Sequence, residues 1–127
     1  MEAEVTKEDL RLLVVLKVMA EFAAKNGRAA RASDLVSPGD DLVNKEWNTL
    51  GVGSVYPHRI HLPQLDRVCK RMVELGLVTD EIATRAKRSA PRFVLTPTGI
   101  IAGAMLGGDW RQWQTPEALA QAARDSA

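Results

Sequence analysis

Gln64, Arg67, Lys70 and Arg71 crowd one short stretch with side chains suited to recognition of a polyanion. In a helix, Gln64, Arg67 and Arg71 fall at i, i+3 and i+7 and share one line. Arginine offers two donors that match guanine O6 and N7, and glutamine matches adenine N6 and N7. Each good bidentate pair discriminates by about 1–3 kcal/mol. Residues near the start of such a helix reach deepest, so Gln64 and Arg67 are expected on bases, and Lys70 and Arg71 on phosphates. Arg59 and His61, just upstream, are expected to add backbone contacts. Downstream, Arg85, Lys87, Arg88 and Arg92 crowd into residues 84–92, where several phosphates would be neutralised together. Arg28 and Arg31 are placed to meet the opposite backbone strand.

Other constellations carry less. His58-x-x-His61 with Asp66 would need three ligands converging from a loop and a proline-started helix, so no metal is expected. Cys69 falls on the apolar side of its helix and reads as a small core residue. Gly51-x-Gly53 lacks a following Lys-Ser/Thr and a third glycine, so it is a turn and not a nucleotide loop. Trp47, Trp110 and Trp113 read as core or interface anchors. No Ser/His/Asp set or carboxylate pair is legible. The expectation is a protein that is not an enzyme and holds no cofactor.

Periodicity and capping signals place these groups on helices and strands. Residues 6–26 read as a helix with Thr6 and Asp9 as a capping box and Gly27 as a left-handed stop. Its apolar set, Leu10, Leu12, Leu13, Val14, Val15, Leu16, Met19 and Phe22, is wider than one stripe. That width predicts contact with a further helix, from the C-terminus or from a second subunit. A short helix is expected through residues 33–36, broken by Ser37-Pro38-Gly39. Asp40 then starts another, with Leu42, Val43, Trp47 and Leu50 on one face. Residues 62–75 read as the key helix, with Pro63 in its first turn and Leu65, Val68, Cys69, Met72 and Leu75 as the buried stripe. After Gly76, Leu77, Val78 and Ile82 begin a strand, and Phe93, Val94 and Leu95 form its partner. Thr96 or Thr98 caps the next helix, where Gly99 is expected to allow close approach to the sheet. Thr115-Pro116-Glu117 opens a last helix to about Arg124.

Composition bounds the rest. The chain has 127 residues, 46% hydrophobic and 26% charged, enough for one domain with a real core. The net charge of +1 is uneven: residues 57–96 carry eight Arg and Lys against four Asp and Glu, leaving −3 elsewhere. A local basic surface on a nearly neutral protein suits a polyanion partner. Cys69 is the sole cysteine, so a reducing compartment is the default. The acidic start, MEAEVTKEDL, lacks a basic signal region, and residues 10–24 are too short and too charged for a span.

RVCKRMVELGLV followed by RFVLTPTG resembles the winged helix-turn-helix transcriptional regulators of the MarR and PadR kind. In those, the recognition helix ends in a Leu-Gly-Leu/Trp-Val segment, and the second wing strand runs into Leu-Thr-Pro-x-Gly. The likeness covers residues 63–104 clearly and residues 6–36 loosely. It departs at residues 37–61, an insert, and in the brief C-terminal segment. The resemblance implies a mainly α fold with a small antiparallel β-hairpin (α+β). Residues 1–106 would be the winged-helix DNA-binding domain and 107–127 a C-terminal helical extension. The implied function is sequence-specific double-stranded DNA binding in transcription regulation, with helix 62–75 in the major groove and wing 84–92 on the backbone or minor groove. The implied assembly is a homodimer, through helix one and the C-terminal helix, on a pseudo-palindromic operator. A cytoplasmic, nucleoid-associated location goes with it. The competing expectation is a winged-helix adaptor for protein interaction in a larger assembly.

Overall fold

A computed structural model of the chain describes residues 4–27, 30–37, 40–53, 62–81 and 93–126. Helix α1 (Lys7–Asn26) starts where the capping box predicts: the Asp9 amide donates to Thr6 Oγ1 (3.1 Å) and the Thr6 amide to Asp9 Oδ2 (3.0 Å). It stops at Gly27, whose φ of 66° is the left-handed conformation that favours glycine. Leu10, Leu12, Leu13, Val14, Val15, Leu16, Val18 and Met19 are all buried. The wide apolar set therefore has an intrachain explanation: α1 is the central helix, and the later helices pack around it.

Beyond α1 the chain lays an edge along the later sheet. The Leu95 amide donates to the Ala30 carbonyl (2.9 Å), and Arg31 bridges antiparallel to Val94. The short helix expected at residues 33–36 is a 3₁₀ turn (Ala32–Leu35) that ends one residue earlier. What reads in the sequence as a break at residues 37–39 joins two short antiparallel strands, β1 (Val36–Ser37) and β2 (Asp40–Asp41), with Val36 opposite Asp41. Helix α2 (Leu42–Thr49) follows. It buries Val43 and Trp47, while Leu42 is exposed. Trp47 Nε1 donates to the Arg11 carbonyl (3.1 Å), so the indole is anchored to α1 at its polar tip.

Helix α3 (Leu62–Glu74) buries Leu65, Val68, Cys69 and Met72, with Leu75 half-buried just past its end. Gly76 (φ 76°) turns the chain into β3 (Val78–Thr79), which pairs antiparallel with β4 (Val94–Leu95), Val78 opposite Leu95. The expected second strand residue Ile82 lies outside the described residues. The edge at Arg31, β4 and β3 thus lie side by side.

Of the two caps the sequence offers, Thr96 caps α4 (Pro97–Met105): its Oγ1 accepts from the Gly99 amide (3.0 Å) and donates to the Gly76 carbonyl (2.7 Å). A Cβ on Gly99 would stand 2.1 Å from the Leu77 carbonyl oxygen, which is the close approach to the sheet that the sequence predicts. Gly103 lets α4 lie equally close to α1, since a Cβ there would be 2.3 Å from the Ala20 Cβ. After a second 3₁₀ turn (Trp110–Gln112), Thr115 caps α5 (Pro116–Asp125), which returns Leu119, Ala120 and Ala123 to the same core. Trp113 joins that core and donates from Nε1 to the Gly107 carbonyl (2.8 Å). Trp110 is exposed, its ring beside the Arg111 guanidinium. The described chain is thus mainly helical, with five α-helices and a small two-stranded antiparallel sheet following α3. Among the described residues no helix is long and apolar enough to cross a membrane.

Candidate nucleic-acid interface

The helical line inferred from spacing divides in the folded chain. Pro63, Arg67, Lys70 and Glu74 form the exposed ridge of α3. Gln64 and Arg71 lean instead toward the N-terminal half of α1. With its carbonyl facing Arg11, the Gln64 amide accepts from Arg11 Nε (3.0 Å) and Nη1 (3.2 Å). Arg11 is itself fixed, donating from Nε to the Val52 carbonyl (2.7 Å) and pairing with Glu8.

Arg71 joins three helices. Nη1 lies 2.8 Å from Asp9 Oδ1 on α1, and Nη2 lies 2.5 Å from Glu117 Oε1 on α5. Burial lowers the pKa of this guanidinium, but the hydrogen bonds and charges of Glu117 and Asp9 outweigh it, so Arg71 sits above the usual arginine range. Nearby, Arg124 Nη1 donates to the Leu75 carbonyl (3.1 Å), satisfying an acceptor past the end of α3. Spacing alone missed these roles of Asp9, Arg11, Glu117 and Arg124. Asp9 reads in sequence as a capping residue and Glu117 as a first-turn acid, and both are those things as well.

Arg67 stands exposed on the ridge, with no ion-pair partner among the described residues. Lys70, also exposed, pairs with Asp66 at 3.0 Å one turn earlier. With Glu74 on the same side, the ridge carries Arg67 and Lys70 against Asp66 and Glu74. Arg31 is held at the sheet edge by Asp34, which takes the Arg31 amide (2.9 Å) and stands 3.5 Å from Nη2. Arg59, His61, Arg85, Lys87, Arg88 and Arg92 lie outside the described residues, as do Arg28 and His58. Among the described residues no group of three or more His, Cys, Asp or Glu side chains could hold a metal ion. Cys69 is fully buried, as its place on the inner stripe predicts.

The structure therefore brings Arg67 and Lys70 together on an open helix face, and places that helix directly before a hairpin. It ties Gln64 to Arg11 and Arg71 to Asp9 and Glu117, while the Arg71 side chain stays 32% exposed. No family model matches the chain, and no curated protein and no solved structure matches it.

Proposed function

We propose that this protein is a winged-helix regulator that binds double-stranded DNA, with α3 in the major groove and the β3–β4 connection against the backbone. The observation that carries this reading is the exposed Arg67 and Lys70 ridge on a helix that passes through Gly76 straight into a hairpin. The connection of that hairpin contains Arg85, Lys87, Arg88 and Arg92. In this reading Arg67 makes the base contact and Lys70 and Arg71 bind phosphates. Gln64 acts indirectly, through Arg11. A second copy of the chain completes a two-half-site contact. The apolar surface available for it lies on α4 around Ile100, beside Ala20, Ala23 and Ala24 in the last turns of α1.

Two substitutions test the assignment. Arg67→Ala should weaken binding to a preferred duplex and relax discrimination by about 1–3 kcal/mol. Arg88→Ala should weaken all duplexes alike and flatten the log–log salt slope by about 0.9. Unchanged duplex affinity in both variants would remove the assignment.

A second reading is favoured by the balance of charge on the ridge. Asp66 and Glu74 offset Arg67 and Lys70, and Trp110 is exposed beside Arg111. That surface suits a protein partner, and the module would then serve as an adaptor. Purified protein would show no duplex affinity at any salt concentration.

A further inference from the structure

We propose that Glu117 occupies, in the free protein, the position on Arg71 that a backbone phosphate of duplex DNA takes on binding. The inference rests on the DNA-binding reading and assigns its regulation to an internal competitor.

The two carboxylates on Arg71 are not equivalent. Asp9 is 8% exposed, and both its oxygens are used, Oδ1 by Arg71 (2.8 Å) and Oδ2 by the Thr6 amide (3.0 Å). It is a fixed anchor. Glu117 is 57% exposed, and its Oε1 holds Arg71 with no further partner among the described residues. It is free to swing into solvent. Carboxylate and phosphate oxygens offer the arginine fork the same charged acceptors, so one substitutes for the other without moving the guanidinium. Arg71 is itself 32% exposed, which leaves an open approach on the Glu117 side. Asp9 thus aims Arg71, and Glu117 covers its outer edge until a phosphate arrives.

The consequence is a muted electrostatic contribution. When a phosphate displaces Glu117, the Arg71–Glu117 pair is lost as the Arg71–phosphate pair forms, so the exchange gains little. The DNA counterion at that phosphate is released with or without the carboxylate, so removing it tightens binding and leaves the salt slope nearly unchanged. Exposed ion pairs of this kind are weak, so affinity should rise by no more than about two- to fivefold.

The test is Glu117→Gln in the full chain, titrated with a mixed-sequence duplex between about 50 and 200 mM salt, a range over which several phosphate contacts change affinity by orders of magnitude. Glu46→Gln, an exposed acid on α2, removes the same charge elsewhere. The Arg71→Gln/Glu117→Gln double variant asks whether the gain passes through Arg71. Should that variant fail to fold, the guanidinium resonance of Arg71 in the otherwise wild-type chain replaces it, and it should shift on adding duplex. The expected result is tighter binding for Glu117→Gln than for Glu46→Gln, with the salt slope nearly unchanged, and no gain when Arg71 is absent. If wild-type protein binds duplex while Glu117→Gln behaves like Glu46→Gln, the competitor role is overturned and the DNA reading stands. If neither wild type nor Glu117→Gln binds duplex, the DNA reading fails and the competitor role falls with it.

Discussion

Replacing Gly99 with alanine should damage the junction that fixes the hairpin against the helices. The added Cβ would lie 2.1 Å from the Leu77 carbonyl oxygen and 2.6 Å from Leu95 Cδ1. The nearer atom is backbone, in the turn between α3 and β3, so it cannot rotate away. Relief requires the start of α4 to retreat by about 1.3 Å or more, the gap between this approach and ordinary contact at 3.4–4 Å. That retreat strains the Thr96 cap, whose hydroxyl ties the Gly99 amide to the Gly76 carbonyl at 3.0 and 2.7 Å. Overpacking costs about 1–3 kcal/mol, and a weakened cap adds about 1 kcal/mol. The helix preference of alanine over glycine returns up to about 1 kcal/mol. The net expectation is a loss of about 1–4 kcal/mol, or roughly 4–15 °C in Tm for a chain of this length. Gly107→Ala is the control: nothing lies within 4 Å of its Cβ position, and its melting should be unchanged. Thermal unfolding followed by circular dichroism reads both. A Gly99→Ala protein that melts within about 2 °C of wild type, well inside the scale set by chain size, would refute the packing argument.

Further outcomes follow from the same contacts. Asp9→Asn removes the charge that serves both the α1 cap and Arg71, so the urea midpoint should fall by the equivalent of about 1–3 kcal/mol. Glu8→Gln on the exposed side of the same turn is the comparison, and an equal loss in both would contradict the anchor role of Asp9. The tryptophans should separate by exposure: Trp47 and Trp113 are buried and Trp110 is 38% exposed. Acrylamide should therefore quench one component of the fluorescence, and Trp110→Phe should abolish it. Persistence of that component in Trp110→Phe would show that a second indole is accessible.

Local signals in the sequence carried α1, α3 and the helix starts at Thr96 and Thr115, because each rests on neighbouring residues that cap or terminate a helix. The inner stripe of α3 was legible for the same reason, and Cys69 fell correctly within it. The β1–β2 pair was not, because two-residue strands carry no alternation, and Pro38-Gly39 marks a turn whether it joins helices or strands. The width of the apolar set on α1 announced a further partner but not its identity; α4 fills that role within the chain. The most exposed line of α3 runs through Pro63, Arg67, Lys70 and Glu74, with Gln64 and Arg71 half-buried beside it. Periodicity defines an inner stripe, but which flank faces water depends on the neighbours, here the first turns of α1 and α5. Arg71 and its partners Asp9 and Glu117 are far apart in the chain, so no local pattern links them.

If the exposed ridge of α3 and the basic segment after β3 meet duplex DNA, titrating the wild-type chain with mixed-sequence duplex at two salt concentrations, with the mass of the complex measured in parallel, will show it. Saturable binding is expected, weakening steeply with salt by about 0.9 in log–log slope for each phosphate contacted, in a complex containing two chains per duplex. Absence of duplex binding at the lower salt concentration would contradict that contact.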